Sequence, residues 1–140
     1  MSHKYDEDWS MPGEIALDKL LRKIDPKLLP GEYVFCSVPS NGFKAKAELN
    51  PLASCQEEEG LSLLLPIEQA DKANLEYSSI LRGITLSVYS SLEAVGFTAA
   101  ITRKLAEEGI SANVIAAHYH DHIFVPTNDA TLALKLLAEY

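Results

Sequence analysis

One pattern occurs twice in this chain. Residues 61–75 read LSLLLPIEQADKANL and residues 122–136 read HIFVPTNDATLALKL: an apolar strand, a proline, a polar cap, then a short helical stretch. Pro66 and Pro126 fall at matching places. A second pair, EYVFCSVPS at 32–40 and GITLSVYSS at 83–91, repeats a strand rich in β-formers. A chain that repeats its own strand–helix unit is committed to a duplicated architecture, because each copy has the same apolar face to bury. The interval between these landmarks is shorter in the first half, so its long helix is expected to be missing or degenerate. The reading is a polar tail at 1–12, an eroded module at 13–78 and a fuller module at 79–140.

The intervening pattern fills in the elements. Ile15, Leu17, Leu20, Leu21 and Ile24 recur at helical spacing from Glu14 to Ile24. Pro26, Pro30 and Gly31 end that helix and make a turn. Glu32–Val38 and Leu61–Pro66 read as buried strands, Lys44–Leu49 and Ala53–Glu59 as more exposed ones, and Ile67–Leu75 as a short helix. Ile84, Leu86 and Val88 alternate with Thr85, Ser87 and Tyr89, a half-buried strand. Phe97, Ile101 and Leu105 form the apolar face of an amphipathic helix with Arg103 and Glu107 on the far side, and Gly109 ends it. Ser111–Tyr119 and His122–Val125 predict two strands around a turn at His120-Asp121. Asp129–Glu139 predicts a last helix.

Bulk properties exclude several classes. Hydrophobic residues make up 47% of the 140 and charged residues 23%, which suits a packed domain. The formal charge of -8 argues against nucleic acid, whose phosphates are bound by Lys and Arg. No apolar run approaches the ~20 residues that cross a bilayer, so no membrane partner is expected. The opening MSHKYDEDWS is polar and charged rather than a secretory leader, and the cytoplasm is the expected location. Cys36 and Cys55 lie outside any CxxC spacing. They read as reduced thiols rather than zinc ligands.

The stretch SVYSSLEAVGFTAAITRKLAEEGISANVIAA (87–117) resembles the first strand, effector loop, first helix and second strand of an ACT domain. It is similar to aspartokinase regulatory domains, with Gly96 before the helix and Gly109-Ile110 opening the next strand. SSLEAVGFTAAIT together with HYHDHIFVP looks like a group of small stand-alone bacterial proteins built from tandem ACT-like modules. The resemblance implies an α+β, ferredoxin-like (βαββαβ-type) fold, with helices on one face of an antiparallel sheet. A complete module ends in a fourth strand, but the helix at 129–139 is followed by none. The helix–strand unit at 14–38 is the expected donor. The resemblance also implies paired sheets, hence a homodimer or higher homo-oligomer.

Two clusters could carry chemistry. At the strand-to-helix corner, unsatisfied helix N-terminal amides favour a carboxylate. Under the resemblance, Ser91, Leu92, Glu93, Ala94, Val95, Gly96 and Phe97 line a site for an amino-acid effector, often at the interface between two modules. Glu93 would accept from an α-amino group, and Asn113 would bond either end. The plainer reading is that Ser91 caps the helix, Glu93 is solvated and Gly96 is a packing contact. The second cluster is His118-Tyr119-His120-Asp121-His122. His118 and His120 are read as effector or interface contacts. The plainer reading is a polar hairpin with Asp121 bonded to turn amides. Comparison with the HxHxDH run of metallo-β-lactamase-like hydrolases fails, because Asp121 and His122 come one residue too early and no histidine follows. No GxSxG elbow occurs. No catalytic residue, metal or cofactor is therefore expected. The function read from the sequence is a non-catalytic sensor of a small effector. The alternatives are a dimerising adaptor without ligand and a metal-dependent hydrolase using the histidine cluster.

Overall fold

Pro66 and Pro126 share one backbone state in the structure, a computed structural model that describes residues 13–41, 47–87 and 95–140. Their φ and ψ are -55° and 138° for Pro66, -53° and 140° for Pro126. The elements in chain order are α1 (Gly13–Leu21), β1 (Lys27–Leu28), β2 (Tyr33–Val38), β3 (Ala53–Gln56), β4 (Leu61–Pro66), α2 (Ile67–Lys72), β5 (Leu81–Ser87), α3 (Phe97–Ala106), β6 (Asn113–Ala116), β7 (His120–Pro126), a 3-10 turn (Thr127–Asp129) and α4 (Ala130–Leu137). From Leu61 and from Asp121, β4 and β7 show the same burial sequence: buried, half-buried, three buried, half-buried. The fold is α+β and ferredoxin-like, with antiparallel strands. No helix among the described residues is long and apolar enough to cross a membrane.

The chain divides into two compact units. Residues Pro30–Arg82 form one of them. There β4 lies between β3 and β2, and Leu81 at the start of β5 pairs with Tyr33 on the other side of β2. Val34, Cys36 and Val38 alternate inward and meet Leu61, Leu63, Leu65 and Ala70 in an apolar core edged by Leu49, Ile67, Leu75 and Tyr77. Tyr77 donates to the Asp71 carboxylate at 2.7 Å, tying the segment after α2 to the helix. The expected exposed strand at 44–49 is contradicted at its described end. Residues 47–49 are helical, and the rest of that span lies outside the described residues. The inward set also corrects the repeat by one residue. Val34 and Cys36 match Ile84 and Leu86, whereas the sequence pairing set Val34 against Thr85.

The second unit joins the N-terminal segment through Leu29 to Gly83 and all that follows. Its strand order is β1-β5-β7-β6. Ile84 and Leu86 of β5 and Ile123 and Val125 of β7 share a core with Leu20 and Leu21 of α1, Phe97, Ile101 and Leu105 of α3, and Ala130, Ala133 and Leu137 of α4. All three helices therefore cover one sheet face. Each large aliphatic side chain fully buried in such a core contributes about 1.5–3 kcal/mol. Gly109, at φ 74°, turns the chain out of α3. Ile110 then donates to the Leu105 carbonyl at 3.0 Å and re-enters the core, a Schellman-type ending.

A strand beside β5 comes from within the expected donor segment at 14–38, from its short piece β1 rather than from the longer run at 33–38. Lys27 and Leu28 pair with Thr85 and Ile84. Leu29 donates to Gly83 and Ser87 donates to Ile24, extending the pairing on both sides. Asp25 at φ 41° and Pro26 interrupt it. The stronger β-former run at 33–38 instead pairs with β4 in the other unit. The turn between β6 and β7 also lies two residues earlier than the sequence suggests, at His118-Tyr119, and Ala117 donates across it to His120 at 3.0 Å.

Candidate functional site

The strand-to-helix corner is built by β5, which ends at Ser87, and α3, which begins at Phe97. Ser91, Leu92, Glu93 and Ala94 lie outside the described residues. The helix opens later than the serines imply. Its N-cap is Gly96, left-handed at φ 89°, and no side chain caps it. The first turn carries no acidic residue, while Arg103 and Lys104 occupy the last. The positive end of the helix dipole is thus left without a carboxylate of its own turn, and the negative end is matched by cations. A Cβ on Gly96 would meet only Leu17 Cδ2 at 3.5 Å, so φ rather than space calls for glycine here. Val95 beside it is 91% exposed. Phe97 is turned inward and belongs to the core, so it supports the corner from beneath instead of lining it.

The remaining site residues lie elsewhere on the same unit. Asn113 pairs with Phe124 across β6 and β7, and its Nδ2 donates to the Phe124 carbonyl at 3.4 Å. Ile123 and Val125 point to the helices, so Asn113, His122 and His120 stand on the opposite sheet face. The structure therefore does not bring Asn113 or His120 to the helix corner. His118 sits in the β6–β7 turn, its ring edge-on to Tyr119 at 4.6 Å.

Alternation also divides the histidine cluster. His120 and His122 share a face, with ring centroids 6.3 Å apart, and His122 Nδ1 lies 3.0 Å from the Thr85 hydroxyl. Asp121 turns the other way and is buried. It is a strand residue, so it does not serve the turn amides as the hairpin reading supposed. Burial pushes the Asp121 carboxyl up, offset in part by His122. Burial, with His120 nearby, pushes the His122 imidazole down, opposed by Asp121. Among the described residues no group of three or more His, Cys, Asp or Glu is arranged to hold a metal ion. Cys36 and Cys55 are free thiols, and burial followed by the Asp71 charge raises the Cys36 thiol above its ordinary 9.0.

The outer face of α3 holds an open groove of about 510 Å³, lined by Gly96, Ala99, Ala100, Arg103, Lys104, Glu107 and Tyr140. Tyr140 forms its wall. Its hydroxyl donates to the Ala100 carbonyl at 3.2 Å, and Lys104 Nζ lies 4.4 Å from its ring centre and 3.1 Å from Glu139. Burial raises the Tyr140 phenol, with Glu107 adding to the effect and Lys104 opposing it. Sequence reasoning placed Arg103 and Glu107 on a solvated face and missed this groove. The available signal was small residues at 96, 99 and 100 ahead of charges at 103, 104 and 107 on one helical stripe.

Comparison with known proteins sets this geometry in context. Residues 12–82 and 79–139 each match an ACT domain. No protein of curated function matches the sequence. A Vibrio cholerae protein of unknown function, described as a possible transport protein, is 49% identical with a TM-score of 0.83, over 91% of this chain and 98% of that one. An Agrobacterium tumefaciens protein is 18% identical with a TM-score of 0.63, over 83% and 87% of the two chains. The ligand-free regulatory subunit of aspartate kinase from Thermus thermophilus is 11% identical with a TM-score of 0.62, over 82% and 95%. The last two likenesses are of fold. Two tandem matches, on a chain that repeats its own strand, proline and helix, make this protein a member of the ACT domain family.

Proposed function

We propose that this chain is a non-catalytic regulatory protein that binds a small effector, an amino acid, at the corner where β5 leads into α3. The observation that carries the reading is the tandem pair of ACT domains. The fold it shares with the regulatory subunit of aspartate kinase supports a regulatory role. Local physics agrees. A helix start with a glycine cap and no acidic residue in its first turn offers free amides and a positive dipole end to a carboxylate. Val95 and Gly96 are the described residues of this site; Ser91–Ala94 complete it in the proposal, and assembly into a homodimer in the cytoplasm is part of it. Control then follows from linkage. An effector shifts the protein only by its differential affinity for two states.

The test is a thermal-shift screen of the twenty amino acids at millimolar concentration. A ligand present at a hundredfold excess over its Kd adds about 2.7 kcal/mol to stability, a shift of several degrees for a chain of this size. One amino acid, or a chemically related few, should raise the melting temperature. A flat response across the whole panel would remove the sensing role.

A further inference from the structure

Alternation along β7 sets His120 and His122 on the sheet face away from the helices, while Asp121 between them is buried on the other. Three neighbours on the same face frame the pair. The Thr85 hydroxyl of β5 lies 3.0 Å from His122 Nδ1. Ile115 of β6 stands directly opposite His122 on the other side. Lys27 of β1 lies beyond Thr85, its ammonium 3.6 Å from the Asp25 carboxylate. All of these residues belong to the second unit.

The pair has the chemistry of nitrogen donors. An imidazole engaged at one nitrogen binds through the other, and histidines that ligate metals are commonly oriented by a hydrogen bond at their second nitrogen. Thr85 gives His122 that bond at Nδ1, so Nε2 is its binding atom. Two imidazoles sharing one ion, each nitrogen about 2.1 Å from it, have ring centres roughly 5–6.5 Å apart. The rings of His120 and His122 are 6.3 Å apart, tilted by 40°. Side-chain rotation alone therefore brings both onto a common ion, with no movement of the strand. Asp121 points away and adds no third ligand, so water completes the coordination. Imidazole suits zinc, nickel and copper, whereas magnesium and calcium take oxygen ligands. A formal charge of -8 favours the approach of a cation over that of an anion.

We propose that His120 and His122 bind one divalent transition ion, with zinc as the test case, as a two-imidazole chelate on the sheet face opposite α1, α3 and α4, and that Thr85 orients His122 for it. With two protein ligands the ion is exchangeable rather than structural, since structural zinc sites close all four positions with protein. The site is separate from the helix-start corner and stands whether or not an amino acid binds there.

The experiment is isothermal titration of the untagged full chain, stripped with chelator, with zinc chloride at neutral pH. Wild type should take up one zinc ion per chain. His120→Gln and His122→Gln should each bind at least about tenfold more weakly, and Thr85→Val, which keeps the side-chain shape and removes the hydroxyl, about tenfold more weakly. His3→Gln, His118→Gln and Cys55→Ser, which remove ligating groups outside the pair, should bind as wild type. Circular dichroism checks that each variant is folded. A second readout needs no variant: in the proton–carbon NMR spectrum of wild type, zinc should move the ring signals of His120 and His122 more than those of His118, and magnesium should move neither. Absence of zinc uptake by wild type overturns the proposal. So does uptake that survives both His120→Gln and His122→Gln, or that is lost only in His3→Gln, His118→Gln or Cys55→Ser, which would place the ion elsewhere. Wild-type affinity in Thr85→Val overturns the role given to its hydroxyl.

Discussion

Two glycines show how differently one residue type is used. Gly96 needs its φ of 89° and has room beside it. An L-residue there costs about 1 kcal/mol in backbone conformation. Gly83 needs space instead. A Cβ at 83 would lie 2.7 Å from Phe124 Cε2 and 2.9 Å from Leu29 Cδ1, and Phe124 is fully buried. Overpacking of this kind costs about 1–3 kcal/mol, with the upper end expected because an aromatic ring has little freedom to yield. Urea unfolding of Gly83→Ala should therefore show a larger loss of stability than Gly96→Ala. The reverse order would mean that Phe124 can shift freely. Gly96 was singled out through the family resemblance, as the glycine that precedes the helix. The sequence was silent on Gly83, because that requirement comes from side chains on β7 and in the N-terminal segment that only folding brings together.

Strand β7 repeats β4 down to its burial sequence, and this was legible from sequence because apolar period and a proline define both copies. The turn before it was not. The string His118–His122 is polar throughout, so no change of period marks where β6 ends, and Asp121 reads as a turn residue until its neighbours fix it in the ladder. The consequence is electrostatic. Where β4 places buried Leu61, β7 places buried Asp121. Asp121 has its folded pKa raised above its ordinary 3.8. The folded chain binds that proton more tightly, so its favourable contribution is complete in acid and is lost as pH rises through the raised value. His122 has its folded pKa lowered below its ordinary 6.5. It disfavours the folded state in acid, and stability returns as pH rises from the lowered value toward 6.5. The two groups thus contribute slopes of opposite sign, the Asp121 loss setting in above 3.8 and the His122 gain ending near 6.5. Asp121→Asn removes the first. Its urea midpoint should exceed wild type at pH ~7 and climb more steeply with pH below that. A lower midpoint at neutral pH would show that the ionised carboxylate is well satisfied in the folded chain.

At the scale of the molecule, duplication has left two units with unequal means of protecting themselves. The unit at 83–140, with its N-terminal segment, buries its sheet under α1, α3 and α4, and large side chains such as Ile101, Leu105 and Leu137 are essentially inaccessible to solvent. The unit at 30–82 has the six-residue α2 and the helical residues 47–49 in the corresponding roles, and Leu49, Leu75 and Tyr77 at its core are only partly buried. The shorter interval between repeat landmarks pointed to a reduced first module. Within the expected donor segment at 14–38 it could not single out Lys27 and Leu28 as the pairing residues, since two residues carry no strand pattern of their own. Less apolar area removed from water means a smaller free energy for local opening, because opening need not wait for global unfolding. Native-state hydrogen exchange should therefore give lower opening free energies for ladder amides of β2 and β4, Val34 and Leu63 among them, than for Ile84 and Ile123 of β5 and β7. Saturating amino-acid effector should raise protection in β5 and α3 first, since those elements frame the proposed site. Equal opening energies in both sets would mean that the two units unfold as one, and that the six-residue α2 is as effective a cover as the ten-residue α3.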